Sequence, residues 1–136
     1  MTLEYRGTRL TIRYCEQPPE GVEPDDWIPP SWQKALQHIP APKKQASCWA
    51  KMLVRREHLA NQGRLRSPDH WNTEGMLPDD KHFYAIKVDR LRAYGWFSSR
   101  HKKVFYISHF TYKKGRKLAQ EDTNQVIKNW RLIEEG

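Results

Sequence analysis

The sequence predicts an α+β fold: a small, antiparallel-rich sheet in the order β-α-α-β-β-β-α, with two N-terminal helices packed on one face and a C-terminal helix. Three observations predict it. Three segments that read as strands follow one another between residues 82 and 111, with gaps too short for crossover connections. Segments of helical period lie on either side of them, near 42–61 and 120–133. The length of 136 residues suits one domain over residues 1–136, long enough to bury roughly two-thirds of its unfolded surface.

The first element is Thr8–Cys15, where Leu10, Ile12 and Tyr14 alternate with Arg9, Thr11 and Arg13 as in a half-buried strand. Residues 16–30 form a proline-rich acidic loop; Gln17–Pro30 alone holds five prolines and four acids. Ser31 is the expected N-cap of a short helix, Trp32–His38, after which Pro40 and Pro42 break the chain. The next helix, Pro42–Asn61, carries Ala46, Trp49, Ala50 and Leu53 at i, i+3, i+4 and i+7, widened by Met52, Leu59 and Ala60, and stops at Gly63. Residues 64–81 are polar and turn-rich and read as irregular. Strands are expected at His82–Val88, Arg90–Ser98 and Lys103–Thr111, and a closing helix at Gln120–Ile133 with Thr123, Val126, Ile127 and Trp130 as its apolar stripe. Glu121 and Asp122 fall in the first turn of that helix, where its dipole favours acids.

Charge is the strongest functional signal. Lys and Arg total 24 against 16 Asp and Glu, a formal charge of +8. The excess lies beyond residue 40 and is densest from Arg100 to Lys117, a window with seven bases and no acid. Runs of like charge are ordinarily solvated faces. Here they are interleaved with Tyr106, His109, Phe110 and Tyr112, and cations beside flat rings are what a single-stranded RNA site needs. No apolar run approaches the length of a membrane span, and the opening residues lack a signal peptide's apolar stretch. A soluble, cytoplasmic protein with a polyanionic partner is expected. Cys15 and Cys48 sit in no metal-ligand spacing, and the six histidines form no such motif. No metal or other cofactor is expected; the thiols read as reduced core residues.

In the middle strand, Leu91, Ala93 and Phe97 should share one face and Arg90, Arg92, Tyr94 and Trp96 the other. Two arginines at i and i+2 would project in parallel about 7 Å apart, a spacing that suits a phosphate. His109, near the end of the third strand, is of the residue type that exchanges protons near neutral pH.

The segment from Phe83 to about Arg131 resembles the RelE/ParE toxin superfamily, most closely its phage-derived HigB-type branch. Three stretches carry the resemblance: FYAIKVDRLRAYGWF, VFYISHFTYKK and KKGRKLAQEDTNQVIKNW. Members of the branch read approximately F-E-I-K in one strand and R-x-Y in the next, then T-H-G-F-x-K-K-x-x-K-x-P. On this chain Arg92 and Tyr94 fall on R-x-Y, Ser108 and His109 on T-H, and Lys113, Lys114 and Lys117 on the three lysines. The chain departs from the pattern at Phe110-Thr111, in place of Gly-Phe, and at Ala119, in place of Pro. The element order predicted above is also that of the family.

The resemblance implies a RelE-like fold and the toxin of a type II toxin–antitoxin system. Such a toxin is a metal-independent endoribonuclease, an mRNA interferase that acts on the translating ribosome. It implies mRNA, the ribosome and a smaller acidic antitoxin protein as partners. Its chemistry is attack of a ribose 2′-OH on the adjacent phosphate, giving a 2′,3′-cyclic end and a free 5′-OH. Taken with the residues themselves, it assigns the scissile phosphate to Arg92, supported by Arg90. His109 becomes the acid or base, and Lys113 and Lys114 stabilise charge or take the proton. Lys117 and Arg116 hold flanking phosphate, and Tyr112 or Tyr94 stacks a base. Lys43, Lys44, Lys51 and Arg55 on the long helix are expected to dock ribosomal RNA, or else to form an ordinary solvated face. The acidic loop is a candidate cover for the site. Two rival readings share the fold: a ParE-like inhibitor that binds DNA gyrase, and a phage-borne RNA- or ribosome-binding module without catalysis.

Overall fold

The computed structural model describes residues 3–136; Met1 and Thr2, the first residues of the expected domain, lie outside them. It is an α+β structure of three helices on a six-stranded mixed sheet. The strands are β1 (Glu4–Arg6), β2 (Thr11–Tyr14), β3 (Trp71–Met76), β4 (His82–Val88), β5 (Leu91–Phe97) and β6 (Val104–Tyr112), in the order β1-β2-β6-β5-β4-β3. The helices are α1 (Pro30–Leu36), α2 (Pro42–Gln62) and α3 (Gln120–Glu134). All neighbours are antiparallel except β2 and β6, which run parallel. Among the described residues no helix is long and apolar enough to cross a membrane.

Two strands more than expected make the sheet larger than the small one predicted. The reading of Thr8–Cys15 as one strand is corrected: residues 8–10 are a turn, and Glu4–Arg6 forms an extra edge strand before it. That turn has a structural task. The N–H groups of Arg9 and Leu10 both donate to the Ala60 carbonyl near the end of α2, and Gly7 approaches Ala60 so closely that a Cβ would lie 2.4 Å from its side chain. Gly63, at φ 81, closes the helix by donating to Leu59. The reading of residues 64–81 as wholly irregular is likewise corrected by β3. Its W-N-T-E-G-M hardly alternates because it is an edge strand held by one neighbour, with Trp71 stacked on Tyr84 at 4.6 Å.

The sheet separates two apolar layers. α1 and α2 cover one face, burying Trp32, Cys48, Met52 and Leu59 against Ile12, Ile86, Leu91, Ala93, Phe105 and Phe110. α3 covers part of the other, where Val126 and Trp130 meet Phe83, Ala85, Tyr94, Trp96 and Tyr106. The expected stripe of α2 is rotated: Ala46 and Ala50 are exposed, and the buried line runs through Cys48, Met52 and Leu59. Arg56 belongs to that inward side, its guanidinium 4.6 Å from the Tyr5 ring centroid and its Nη1 bonded to Tyr14. An arginine stem covering apolar surface disguises a helix face as polar.

At the far end of α3, Glu134 receives the backbone N–H groups of Ser99 and Arg100, the Ser98 hydroxyl and the Trp96 indole. Burial pushes its carboxyl up, but these hydrogen bonds outweigh burial and hold it below its ordinary value of 4.5. Its contribution to stability is therefore fully present above 4.5 and is lost as pH falls through the depressed folded value. Glu134→Gln should lower stability at neutral pH, and the gap to wild type in urea denaturation should shrink as pH is taken below 4.5. Gly95 gives a second test. A Cβ there would lie 2.2 Å from the Tyr106 carbonyl oxygen and 2.5 Å from the Phe105 ring, so Gly95→Ala should cost about 1–3 kcal/mol in the same assay.

Candidate active site

β2 stops at Tyr14, which pairs with Ile107, whereas β6 continues to Tyr112. The last residues of β6 therefore have no strand on that side. A groove of about 680 Å³ runs along this open edge, between α1 and the first turns of α3. His109 and Asp122 line it, with Lys34, Lys113, Lys114 and Lys117. One edge N–H is filled by a side chain: Phe110 donates to Ser31 Oγ at 2.8 Å, and that hydroxyl donates to Glu16 at 2.5 Å. Ser31 is thus not the N-cap expected. The helix begins one residue before it, at Pro30, and frees its hydroxyl to seal the strand edge.

His109 is held from both sides. Its Nδ1 is 2.8 Å from Ser108 Oγ and its Nε2 is 2.9 Å from Asp122 Oδ1, with only 11% of the side chain exposed. Lys113 is half-buried and Lys114 and Lys117 are exposed along the lining; Arg116 is exposed and outside it. Tyr112 lines the groove from the α1 side, its ring stacked on His38 at 4.8 Å. Cys15 also lines it, but burial and the neighbouring Glu16 push its thiol up to about 12. It is no nucleophile at physiological pH, and the folded protein should resist iodoacetamide at Cys15 at about pH 8, labelling only on denaturation.

Arg92 lies on the α3 side of the sheet, outside the groove lining but adjoining it through β6. Lys87, Arg92 and Thr111 stand opposite one another across β4, β5 and β6. Arg92 is 8% exposed. Its Nη1 donates to the carbonyls of Asp89 and Leu91, and its Nε has no partner among the described residues. Among the described residues no carboxylate comes within ion-pair distance of it. Burial lowers the pKa of Lys87, and the charges of Arg92 and Lys113 lower it further. Burial raises that of Glu74, against the pull of Lys113, Arg92 and Lys87. Three cations and one carboxylate thus share a partly desolvated field at this end of the sheet, the kind of setting that holds an anion and tunes a proton acceptor.

Two expectations fail on geometry. Arg90 is not in the strand beside Arg92. It occupies the two-residue turn Asp89–Arg90, is exposed, and donates to the Lys113 carbonyl at 3.2 Å. No parallel pair of arginines forms. Tyr94 is 1% exposed, edge-on to Phe83 and 5.6 Å from the His109 ring, and burial raises its phenol pKa. It has no free face for a base, which leaves stacking to Tyr112. On α2, Lys44 pairs with Asp89 at 3.1 Å and Arg55 donates to the Lys87 carbonyl, so among the described residues only Lys43 and Lys51 of the four expected docking bases lack such contacts. The acidic loop does not cover the groove. Glu16 binds Ser31, while Glu20, Glu23, Asp25 and Asp26 are exposed and, among the described residues, form no ion pair.

Sequence reasoning missed Lys87, Glu74 and the partnership of Asp122 with His109. The two-residue turn at Asp89–Arg90 was the signal for Lys87, because it sets Lys87 directly across from Arg92. Glu74 had none, since its strand was not legible. Among the described residues no three His, Cys, Asp or Glu gather as a metal-ligand set. No family model, curated protein or solved structure matches the chain.

Proposed function

We propose that the protein is an endoribonuclease of the RelE/HigB toxin type, cleaving mRNA on translating ribosomes without a metal ion and held in check by an acidic antitoxin. One observation carries this reading: a buried arginine with no carboxylate at ion-pair distance among the described residues, sharing its field with Lys87 and Lys113, adjoins a groove lined by lysines and an oriented histidine. The element order also supports it, since the strands and helices common to both follow the order of that family, with β1 and β3 as additions at the sheet edges.

In this mechanism the RNA backbone lies across the cationic field. Arg92, Lys87 and Lys113 stabilise the negative charge that grows on the phosphorane oxygens, the largest contribution such a site makes. The 2′-oxygen forms its bond to phosphorus as its proton passes to a base, for which His109, Lys87 and Glu74 are the candidates within this cluster. The bond from phosphorus to the 5′-oxygen breaks, and that oxygen takes its proton from a protonated side chain of the site, His109 or Lys113, to leave as a free hydroxyl. Lys114, Arg116 and Lys117 hold the flanking phosphates, and Tyr112 stacks a base.

A second reading, an RNA-binding module without catalysis, is favoured by one observation: both His109 nitrogens and Arg92 Nη1 are already bonded within the protein. Primer extension on a defined mRNA, with and without programmed ribosomes, separates the two. Wild type should cut with ribosomes present, and folded Arg92→Ala should lose at least about tenfold in rate. RNA bound tightly and left intact would select the second reading.

A further inference from the structure

Ser108 and His109 are consecutive, yet both side chains lie on the α3 side of the sheet. Consecutive strand residues point to opposite faces, so something must reset the alternation. A β-bulge does: Tyr94 pairs with His109 and Gly95 with Ile107, leaving Ser108 as the extra residue. Gly95 permits it, since a Cβ there would collide with Tyr106 and Phe105.

The result is a hydrogen-bonded chain of four side chains. Asn129 Nδ2 is 2.9 Å from Ser108 Oγ, Ser108 Oγ is 2.8 Å from His109 Nδ1, and His109 Nε2 is 2.9 Å from Asp122 Oδ1. Proton accounting gives the chain a direction. An ionised carboxylate only accepts, so Nε2 must carry a hydrogen. A neutral imidazole then has its lone pair on Nδ1, where the Ser108 hydroxyl is the donor at hand. Asn129, donating to that hydroxyl oxygen, leaves its hydrogen free to point at Nδ1. The other tautomer would set a bare Nε2 lone pair against the carboxylate.

We propose that Asp122, Ser108 and Asn129 are positioning residues that hold His109 in a single tautomer, with its proton on Nε2, at the floor of the groove. The imidazolium formed when His109 gains a proton keeps both contacts, with Nδ1–H then donating to Ser108 and Asp122 facing the new charge. Only the Ser108 hydroxyl hydrogen has to turn for His109 to change protonation state while the heavy atoms keep their contacts, which is what preorganisation of an acid or base requires. The bearing on catalysis rests on the cleavage reading above; the tautomer does not.

The test is long-range ¹H–¹⁵N correlation of the histidine rings in the full-length protein at about pH 8, above the ordinary imidazole range. Wild-type His109 should show one tautomer, Nε2–H. Asp122→Asn, whose amide can donate or accept, should populate both, and Asp122→Glu should restore the wild-type pattern. Wild-type His109 in the Nδ1–H form or in a mixture, or Asp122→Asn with an unchanged ring spectrum, would overturn the proposal. In the ribosome assay, Asp122→Asn should lower kcat at least about tenfold with KM within about twofold, and an unchanged kcat would remove the positioning role. If the wild-type protein cuts no RNA, the cleavage reading fails, and the ring spectrum alone decides the tautomer.

Discussion

β6 runs between the two apolar layers, and its alternation holds both in place. Phe105, Ile107 and Phe110 reach toward α1 and α2, while Val104 and Tyr106 reach toward α3. It pairs along its length with β5 and over its first half with β2. Any shift of register would turn aromatic side chains out of both layers at once, so the strand is pinned from two sides. That rigidity is what allows a bulge at Ser108 to be kept, and the bulge fixes where the candidate catalytic residues point.

The α3 face of the sheet divides by polarity. Under the helix, Phe83, Ala85, Tyr94 and Trp96 are apolar and buried. On the same face, Lys87 and Arg92 lie side by side on adjacent strands. Like charges directly opposite one another destabilise a sheet, and burial at Arg92 adds to the cost. Glu74 offsets part of this from β3, and the carbonyls of Asp89 and Leu91 take up one guanidinium nitrogen. The remaining imbalance is what a bound phosphate would relieve. The acidic loop does not relieve it, because its one inward carboxylate, Glu16, is committed to Ser31.

How much of this was legible depended on whether local pattern or distant contact decides each element. The strands at 82–88 and 103–111 were readable as short runs rich in apolar and aromatic residues, and the helix at 120–133 by its apolar stripe. Two edge strands were not: Glu4–Arg6 is three residues long, and Trp71–Met76 rests on one stacked Trp and one neighbour. The turn at 8–10 looked like strand because Leu10 extends the alternation, while its real partner, Ala60, is fifty residues away. At the site, residue types were readable but arrangement was not. Arg90 was displaced by a tight turn and Tyr94 by the weight of α3. The contact from Asp122 to His109 needs a helix and a strand to meet, and no spacing along the chain encodes that.

The short β2 has a consequence for how the protein keeps to itself. A strand edge left without a neighbour is a template for pairing with other chains, and the open part of β6 is such an edge, in a chain rich in aromatic residues. The seven-residue α1, sealed through Ser31 to Phe110, acts as its guard. Its docking therefore governs aggregation as well as the shape of the groove: conditions that loosen residues 30–36 expose backbone groups able to recruit a second molecule. The same gap that opens the groove is the place where this fold is most open to misassembly.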